Sequence, residues 1–322
     1  SDHEITDGVR EKIALFCDVD TDDVLACPDA PSIYEVPISL YEQGFDISAL
    51  AKMGLAPRKI KLAPWRAFLK AKDACAGELD IAVVGKYVSL PDAYLSINEA
   101  LVAAGIATGR HVNVHLIDGE ELTDKNADAV LGGMDGILVP GGFGARAFEG
   151  KIAAARYARE NNVPFLGICL GMQMAVVEYA RHVLGLTGAH TSEVDPNTPY
   201  PVIDLMPDQQ HIDEKGGTMR LGKYPCRLSR DSVAFAAYGE ENIFERHRHR
   251  YEFNNAYRDL FVEGGMRIGG VNPERDLVEI VELPNHPWFV GVQYHPELRS
   301  RPNRPHPLFR EFVGAALKAQ EK

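Results

Sequence analysis

Short buried strands alternate with helices from Glu78 onwards, and this alternation limits the possible folds more than any other feature of the sequence. Chains of this kind form a parallel sheet with helices on both faces. The predicted strands are LDIAVVGKY (79–87), HVNVHLID (111–118), DGILVPGG (135–142) and VPFLGIC (163–169), and the predicted helices are AYLSINEALVAAGIATG (93–109) and EGKIAAARYARENN (149–162). We therefore predict an α/β fold with a doubly wound, mostly parallel central sheet and flanking helices.

The second half of the chain is richer in β-structure, and the first 77 residues differ from the rest. Extra β segments are predicted at YPVIDLM (200–206), GTMRLGKYPCRL (217–228), DLVEIVEL (276–283) and WFVGVQYHPEL (288–298). Near the N-terminus we predict short strands at KIALFC (12–17) and DDVLAC (22–27). The segment DAPSIYEVPISLYEQG (29–44) carries two prolines and is predicted to lead into a helix. Lys52–Lys72 is basic and helix-like, with Pro57 and Pro64 as breakers.

Composition and charge disfavour several classes of function. The chain has 322 residues, 45% of them hydrophobic and 25% charged, which is ordinary for a soluble globular protein. No apolar run reaches the roughly 18 residues of a membrane span, so no membrane partner is expected. A formal net charge of −12 disfavours nucleic acid as a partner. The five cysteines form no C-x-x-C pair, which disfavours a disulfide framework or a zinc site and favours a cytoplasmic location.

Cys169 lies at a strand-to-helix junction, with Gly167 two residues before it and Gly171 two residues after it. G-x-C-x-G in this context is the cysteine form of the nucleophile elbow. The elbow places the sulfur at a helix N-terminus, where the helix dipole favours the reactive thiolate. A buried cysteine without a special role is the weaker alternative, because it does not explain glycines on both sides. We predict that Cys169 is a nucleophile.

A thiolate nucleophile needs a base, and the segment YHPEL supplies His295 and Glu297. In an extended segment, residues i and i+2 face the same way, so Glu297 can orient His295. Together with the elbow, this predicts a Cys–His–Glu triad for acyl transfer. The glycine loop PGGFG (140–144) and the backbone N–H of Leu170 are candidate partners for an oxyanion, although loops that bind phosphate look similar.

Taken together, these motifs resemble the class I (triad) glutamine amidotransferases, whose fold is flavodoxin-like. The finer motifs resemble the CTP synthase family from about residue 79 to the end. They are GKYVSLPDAYLS, LVPGGFGARAFEGK, GICLGMQ, TSEVDPNT, GGTMRLG, ERHRHRYEFNN and QYHPEL. The start of the chain is similar to the end of that family's synthetase domain. The resemblance therefore implies that residues 1–77 are a remnant of the synthetase domain with its linker, and that residues 78–322 are the glutaminase domain.

The resemblance implies hydrolysis of L-glutamine to glutamate and ammonia. Cys169 would form a γ-glutamyl thioester, His295 would transfer protons and Glu297 would hold His295. Gly142 and Leu170 would supply the N–H groups of the oxyanion hole. The implied glutamine-binding residues are Gly142, Leu170, Gly171, Met172, Gln173, Glu193 and Arg250, with Arg250 at the α-carboxylate. A nucleic-acid patch is the alternative for the arginines of 246–250, and it is weak in so acidic a chain.

The resemblance also implies partners for a longer enzyme. The family uses ATP, Mg²⁺ and ammonia to aminate UTP to CTP, is activated by GTP and forms a homotetramer. Lys12 would reach the pyrimidine nucleotide, Asp29 and Ala30 would lie near the adenine, and GGTMRLG (216–222) would belong to a lid near the GTP site. No cofactor or metal site is expected in this chain, because its G-x-x-x-x-G-K run (217–223) lacks the Ser or Thr that binds Mg²⁺. We therefore expect a fragment that holds the glutaminase half and only the edge of the synthetase half.

Other functions stay open on the sequence. Among enzymes, the chain could be the glutaminase subunit of another amidotransferase or a γ-glutamyl hydrolase, and only the finer motifs argue against these. In a different class, it could be a non-catalytic interaction module that keeps the fold. Loss of the cysteine, histidine or glutamate would indicate such a module, and all three are present.

Overall fold

The structure, a computed structural model, describes residue 3 and residues 5–144, 146–205 and 219–321. The chain divides into two compact units, Ser1–Ala74 and Cys75–Lys322. Among the described residues, no helix is both long enough and apolar enough to cross a bilayer.

The first unit is built from helices. They are α1 (Asp7–Cys17), α2 (Val36–Glu42), α3 (Phe45–Lys52) and α4 (Ala63–Asp73). The rings of Tyr34, Trp65 and Phe68 pack together, with centroid distances from 5.2 to 6.3 Å. The indole N–H of Trp65 also donates a hydrogen bond to the carbonyl of Tyr34. This aromatic contact joins α4 to the turn that precedes α2.

Both strands predicted in the first unit are wrong. KIALFC (12–17) lies within α1, and DDVLAC (22–27) begins in a 3₁₀ turn and continues without regular structure. A short apolar run fits a helix as well as a strand, so its periodicity alone cannot decide between them. The helix expected from 29–44 is confirmed, since α2 lies within that segment and α3 follows it. The helix-like segment Lys52–Lys72 is confirmed only from Ala63 onwards, as α4, because residues 55–62 have no regular structure. Pro64 does not break α4, because it occupies the first turn, where its missing N–H removes no helical hydrogen bond.

The second unit is built around a large sheet. Its strands are β1 (Glu78–Gly85), β2 (His111–Asp118), β3 (Gly136–Val139), β4 (Phe165–Ile168), β5 (His190–Thr191), β6 (Pro201–Leu205), β7 (Arg220–Leu228), β8 (Asn242–His249), β9 (Tyr251–Phe253), β10 (Arg267–Asn272), β11 (Leu277–Glu282) and β12 (Phe289–Val292). Its helices are α5 (Leu95–Thr108), α6 (Ala127–Leu131), α7 (Phe148–Asn161), α8 (Leu170–His182), α9 (Val233–Tyr238), α10 (Arg258–Glu263) and α11 (Pro307–Gln320). The strands and helices predicted from residue 79 onwards are confirmed, although the strand predicted at 288–298 ends at Val292. Residues 206 and 217–218 of the predicted strands lie outside the described residues.

Within the described ranges, the large sheet has nine strands in the order β2-β1-β3-β4-β12-β11-β10-β7-β8, and β5, β6 and β9 form a small second sheet. Neighbours from β2 to β12 are parallel, and neighbours from β12 to β8 are antiparallel. The predicted doubly wound sheet is confirmed, and extra β segments extend it at one edge. Because β3, β4 and β12 are adjacent and parallel, their carboxyl ends lie side by side, where ligands bind in such folds.

Helices cover both faces of the sheet. In β1, Ala82 and Val84 belong to a core that includes α7 and α8, whereas Ile81 and Val83 belong to a core that includes α5 and α11. This alternation follows from the two-residue period of a strand. Burial of both faces explains why the strands read as continuous apolar runs in the sequence.

Two helix glycines differ in the space around them and should respond oppositely to alanine. A Cβ at Gly150 of α7 would lie 2.0 Å from the carbonyl oxygen of Gly119, whereas nothing lies within 4 Å of a Cβ at Gly314 of α11. Gly150→Ala should therefore lower the free energy of unfolding by about 2 kcal/mol or more. Gly314→Ala should raise it by about 0.5–1 kcal/mol. Urea denaturation measures both changes, and equal effects would contradict the close packing of α7.

Candidate active site

Cys169 joins β4 to α8 in a backbone conformation that residues with a side chain rarely adopt. Its φ and ψ are 53° and −104°. The neighbouring glycines are required by the space available. A Cβ at Gly167 would lie 2.8 Å from the backbone of Gly171, and a Cβ at Gly171 would lie 1.9 Å from the carbonyl oxygen of Val139. The tight turn that the G-x-C-x-G motif predicts is therefore present, with Cys169 at its apex.

His295 follows β12, the parallel neighbour of β4, and its ring lies near Cys169. Gly141 lies beside both residues, since a Cβ there would be 2.9 Å from Cε1 of His295 and 3.5 Å from Cβ of Cys169. Nδ1 of His295 is 2.7 Å from Oε1 of Glu297. We expected this contact from an extended segment, but Pro296–Arg299 forms a 3₁₀ turn. The turn, rather than a strand, brings the carboxylate to the imidazole.

The groups around His295 favour its protonated form. Burial lowers the pKa of His295, but its contacts with Cys169 and Glu297 outweigh burial and raise the pKa to about 10. The side chain of Glu297 is only 9% exposed, so solvent screens its charge weakly. The imidazole can therefore accept the thiol proton and hold it near neutral pH.

A cavity of about 420 Å³ opens beside Cys169. It is lined by Gly142, Phe143, Cys169, Leu170, Gln173, Glu193, Met219, His249, Arg250 and Tyr251. Five of the predicted glutamine-binding residues thus share one cavity with the predicted nucleophile: Gly142, Leu170, Gln173, Glu193 and Arg250. Their individual roles stay predictions.

Among the described residues that line the cavity, Glu193 is acidic and Arg250 is basic. Burial raises the pKa of Glu193, while the positive charges of Lys86 and Arg250 and a hydrogen bond from the backbone of Gly144 oppose this rise. An α-amino acid carries an ammonium and a carboxylate, and each would find a complementary charge here. Arg250 suits the carboxylate because a guanidinium can form two parallel hydrogen bonds to it.

Gly142 and Leu170 are neighbours on the wall of the cavity. Leu170 is the first residue of α8, so its N–H has no partner within the helix. A Cβ at Gly142 would lie 3.9 Å from Cδ2 of Leu170. Two N–H groups beside a nucleophile can stabilise the anion that forms when an acyl carbon is attacked. Their assignment to an oxyanion hole stays a prediction.

Two of the predicted glutamine-binding residues, Gly171 and Met172, do not line the cavity. Gly171 packs against the end of β3, and Met172 is completely buried. These two residues could contact a ligand only through their backbone. Lys12, Asp29 and Ala30 are exposed residues of the first unit, and their nucleotide contacts stay predictions.

Several lining residues had no prediction of their own: Phe143, Met219, His249 and Tyr251. A sequence pattern could have identified His249 as an inward-facing residue. The run RHRHR alternates basic and imidazole side chains, and β8 buries every second residue, so His247 and His249 face inward. Met219 belongs to the GGTMRLG motif, of which residues 216–218 lie outside the described part of the chain.

A buried lysine near the glycine loop was also not predicted. Lys151 of α7 is 0% exposed, and its Nζ has no hydrogen-bond partner among the described residues. Nζ would lie 3.7 Å from a Cβ at Gly142. Burial and the charge of Lys86 lower the pKa of Lys151 to about 7, although Cys169 opposes this. A group whose charge changes near neutral pH therefore lies next to the predicted oxyanion loop.

Comparison with known proteins agrees with this geometry. Residues 89–315 match the family described as "Glutamine amidotransferase class-I", and residues 1–55 match "CTP synthase N-terminus". The solved "Trypanosoma brucei CTPS - glutaminase domain with bound acivicin" is 37% identical with a TM-score of 0.70, covering 74% of this chain and 94% of that one. CTP synthases from Clostridium acetobutylicum and Bacillus subtilis are 56% and 51% identical over 100% and 98% of this chain.

The fold, the site and these matches show that the chain belongs to the class-I glutamine amidotransferases. Within that class, its relatives are CTP synthases, so the family predicted from the motifs is confirmed. The chain spans 60% of the length of the C. acetobutylicum relative and 59% of the B. subtilis relative.

The strained backbone of Cys169 leads to a prediction about stability. Glycine tolerates φ 53° and ψ −104°, whereas a Cβ is disfavoured there. Cys169→Gly should therefore be more stable than Cys169→Ala by about 1–2 kcal/mol. Urea denaturation of the two variants provides the comparison. If Cys169→Ala were the more stable variant, the turn would not be strained.

Lys151→Met should stabilise the folded protein most at neutral pH and below. The pKa of Lys151 is about 7 in the folded protein, against a usual value of 10.5. Between these values the unfolded chain binds more protons, so the wild type gains stability as pH rises. The advantage of the variant should approach about 4 kcal/mol near pH 7 and shrink towards pH 10.5. Unfolding at several pH values, with exposed Lys318→Met as the control, tests this; an advantage independent of pH would contradict it.

Proposed function

We propose that this chain hydrolyses L-glutamine to glutamate and ammonia. The observation that carries the proposal is the proximity of three groups: Cys169 on its tight turn, the ring of His295 near it, and Glu297 at 2.7 Å from that ring. The cavity beside the sulfur contains Glu193 and Arg250, which complement the charges of an amino acid. Membership of the class-I amidotransferases supports the same reaction.

In the proposed reaction, His295 takes the proton of Cys169, and the sulfur attacks the carbonyl carbon of the γ-amide. As the C–S bond forms, negative charge develops on the carbonyl oxygen, which the N–H groups of Gly142 and Leu170 would stabilise. His295 then gives its proton to the nitrogen, the C–N bond breaks and ammonia leaves. Throughout these steps Glu297 holds the imidazole and stabilises its charged form.

The γ-glutamyl thioester that remains is then hydrolysed. His295 removes a proton from water, and the resulting hydroxide attacks the thioester carbon. The C–S bond breaks, glutamate leaves, and the sulfur departs as a thiolate beside the protonated imidazole. His295 then returns its proton to the sulfur, so the proposed cycle restores both residues to their starting state and consumes only glutamine and water.

From the likeness of this chain to CTP synthases, we also propose that the ammonia is used to aminate UTP to CTP with ATP and Mg²⁺. The same likeness supports GTP as an activator and a homotetramer as the assembly. In the described part of the chain, no group of three or more His, Cys, Asp or Glu residues could hold a metal ion. The nucleotide contacts of Lys12, Asp29 and Ala30 and the cytoplasmic location also stay predictions.

The purified chain should convert each glutamine into one glutamate and one ammonia, measured by an enzyme-coupled assay. Cys169→Ala and His295→Ala should each lower kcat by at least about 1,000-fold, because they remove the nucleophile and the base. Glu297→Gln should lower it less, since the carboxylate orients the base without reacting. Cys226→Ala changes another buried cysteine, outside the cavity lining, and should keep full activity.

The competing functions give different results in the same assay. Faster cleavage of γ-glutamyl peptides than of glutamine would indicate a γ-glutamyl hydrolase. Acivicin is bound to the T. brucei glutaminase domain, and we expect it to protect Cys169 from iodoacetamide. It should not protect Cys17 or Cys27, which are exposed. Protection without any turnover would indicate a module that only binds, and would overturn the proposed hydrolysis.

A further inference from the structure

Gln293 is a completely buried amide located two residues before His295. Its Nε2 is 3.7 Å from the sulfur of Cys169, which is a hydrogen-bond contact for sulfur. Its Oε1 accepts a hydrogen bond from Nε2 of Gln173 at 3.2 Å. Its backbone N–H donates to the carbonyl of Glu279 at 2.9 Å. The side chain therefore starts from a fixed backbone position and has a partner at each end of its amide.

A backbone carbonyl determines which way both amides point. The oxygen of Tyr251 can only accept, so Gln173 must present its NH₂ group to it, at 2.9 Å. The same NH₂ group faces Gln293, which must therefore present its oxygen. The NH₂ group of Gln293 is thus turned towards the sulfur of Cys169. Nδ1 of His249 also contacts the Tyr251 oxygen at 3.2 Å, which helps to hold that carbonyl in place.

We propose that Gln293 donates an amide hydrogen bond to the sulfur of Cys169 and stabilises the thiolate that attacks the substrate. A hydrogen bond to the charged form of a group favours that form, and bonds to charged acceptors are stronger than neutral ones. The proposal rests on the proposed function, in which this sulfur is the nucleophile. Gln173 lines the cavity, so the same chain of amides connects the substrate-facing wall to the reacting atom.

The sulfur contact distinguishes Gln293 from an amide with a structural role alone. A buried amide N–H without an acceptor is costly, so such groups are normally paired. A glutamine with a structural role alone would donate its N–H to a backbone carbonyl, as Gln173 does to the carbonyl of Tyr251. Gln293 instead directs its donor to the atom that would form the thioester. Its amide should therefore affect the reactivity of Cys169 and not only the packing of the sheet edge.

Gln293→Met neither removes nor adds a titratable group around the sulfur. The groups there are His295 and Glu297 after β12, Lys151 on α7, Lys86 after β1, and Glu193, His249 and Arg250 on the cavity wall. A change in the titration of Cys169 in this variant can therefore be compared directly with the wild type.

The test is the pH dependence of Cys169 alkylation by iodoacetamide in the full chain, followed by peptide mass spectrometry. Gln293→Met removes the donor at similar length and should move the midpoint of the profile up by about one pH unit. Alkylation at a pH below the midpoint should then be about tenfold slower. Gln293→Glu keeps an acceptor for Gln173 but places a carboxylate next to the sulfur, so its midpoint should move further up. Gln320→Met, at an exposed site on α11, should leave the midpoint unchanged.

The proposal is overturned if a folded Gln293 variant has an unchanged or lowered alkylation midpoint. A variant with a lower melting temperature but an unchanged midpoint would show that Gln293 has a structural role alone. If Gln293→Met does not fold, Gln293→Leu, which also removes the amide donor without adding a charge, decides the question. Alkylation requires no turnover, so a wild type that fails to hydrolyse glutamine refutes the proposed function while the midpoint still tests the hydrogen bond. Where turnover occurs, Gln293→Met should lower kcat about tenfold and leave KM nearly unchanged, because Gln293 does not line the cavity.

Discussion

The close approach of α8 to the end of β3 is the constraint on which the site depends. A Cβ at Gly171 would lie 1.9 Å from the carbonyl oxygen of Val139, so the helix can begin here only with glycine in its first turn. The chain must then pass from β4 to α8 through a single residue, and Cys169 takes a φ of 53°. Backbone strain of this kind persists where the surrounding packing enforces it, and it is found most often at functional sites.

The order of the strands assembles the rest of the site around this turn. The strand β4 lies between β3 and β12, so the glycine loop, Cys169 and His295 emerge at adjacent strand ends. Amide hydrogen bonds then connect the elements: Gln173 of α8 contacts Tyr251 of β9 and Gln293 after β12. The catalytic geometry therefore depends on the large parallel sheet, on the small sheet that contains β9, and on the polar contacts that join them.

Much of this arrangement could be predicted from the sequence, for reasons that particular residues make clear. Glycines on both sides of Cys169, between a strand and a helix, indicate a tight turn with Cys169 at its apex. The apolar residues of β1 to β4 indicate buried strands, and this pattern extends over many residues. The strands predicted at 12–17 and 22–27 failed because short apolar runs fit either structure. Lys151 and Gln293 could not be assigned, since their importance comes from three-dimensional neighbours that no local pattern encodes.

Two buried cations of the second unit, Arg220 and Lys151, differ in whether carboxylates surround them. Arg220 donates to Glu252 and Glu279 at 2.7–3.1 Å, so nearby carboxylates balance its charge. Lys151 has no such partner in the described part of the chain, and a buried ammonium without one lowers stability. Its Nζ lies next to Gly142, where negative charge would develop on an attacked carbonyl, and charges interact strongly in so dry a region. If the oxyanion of the proposed reaction pairs with Lys151 during turnover, this explains why no carboxylate among the described residues does so.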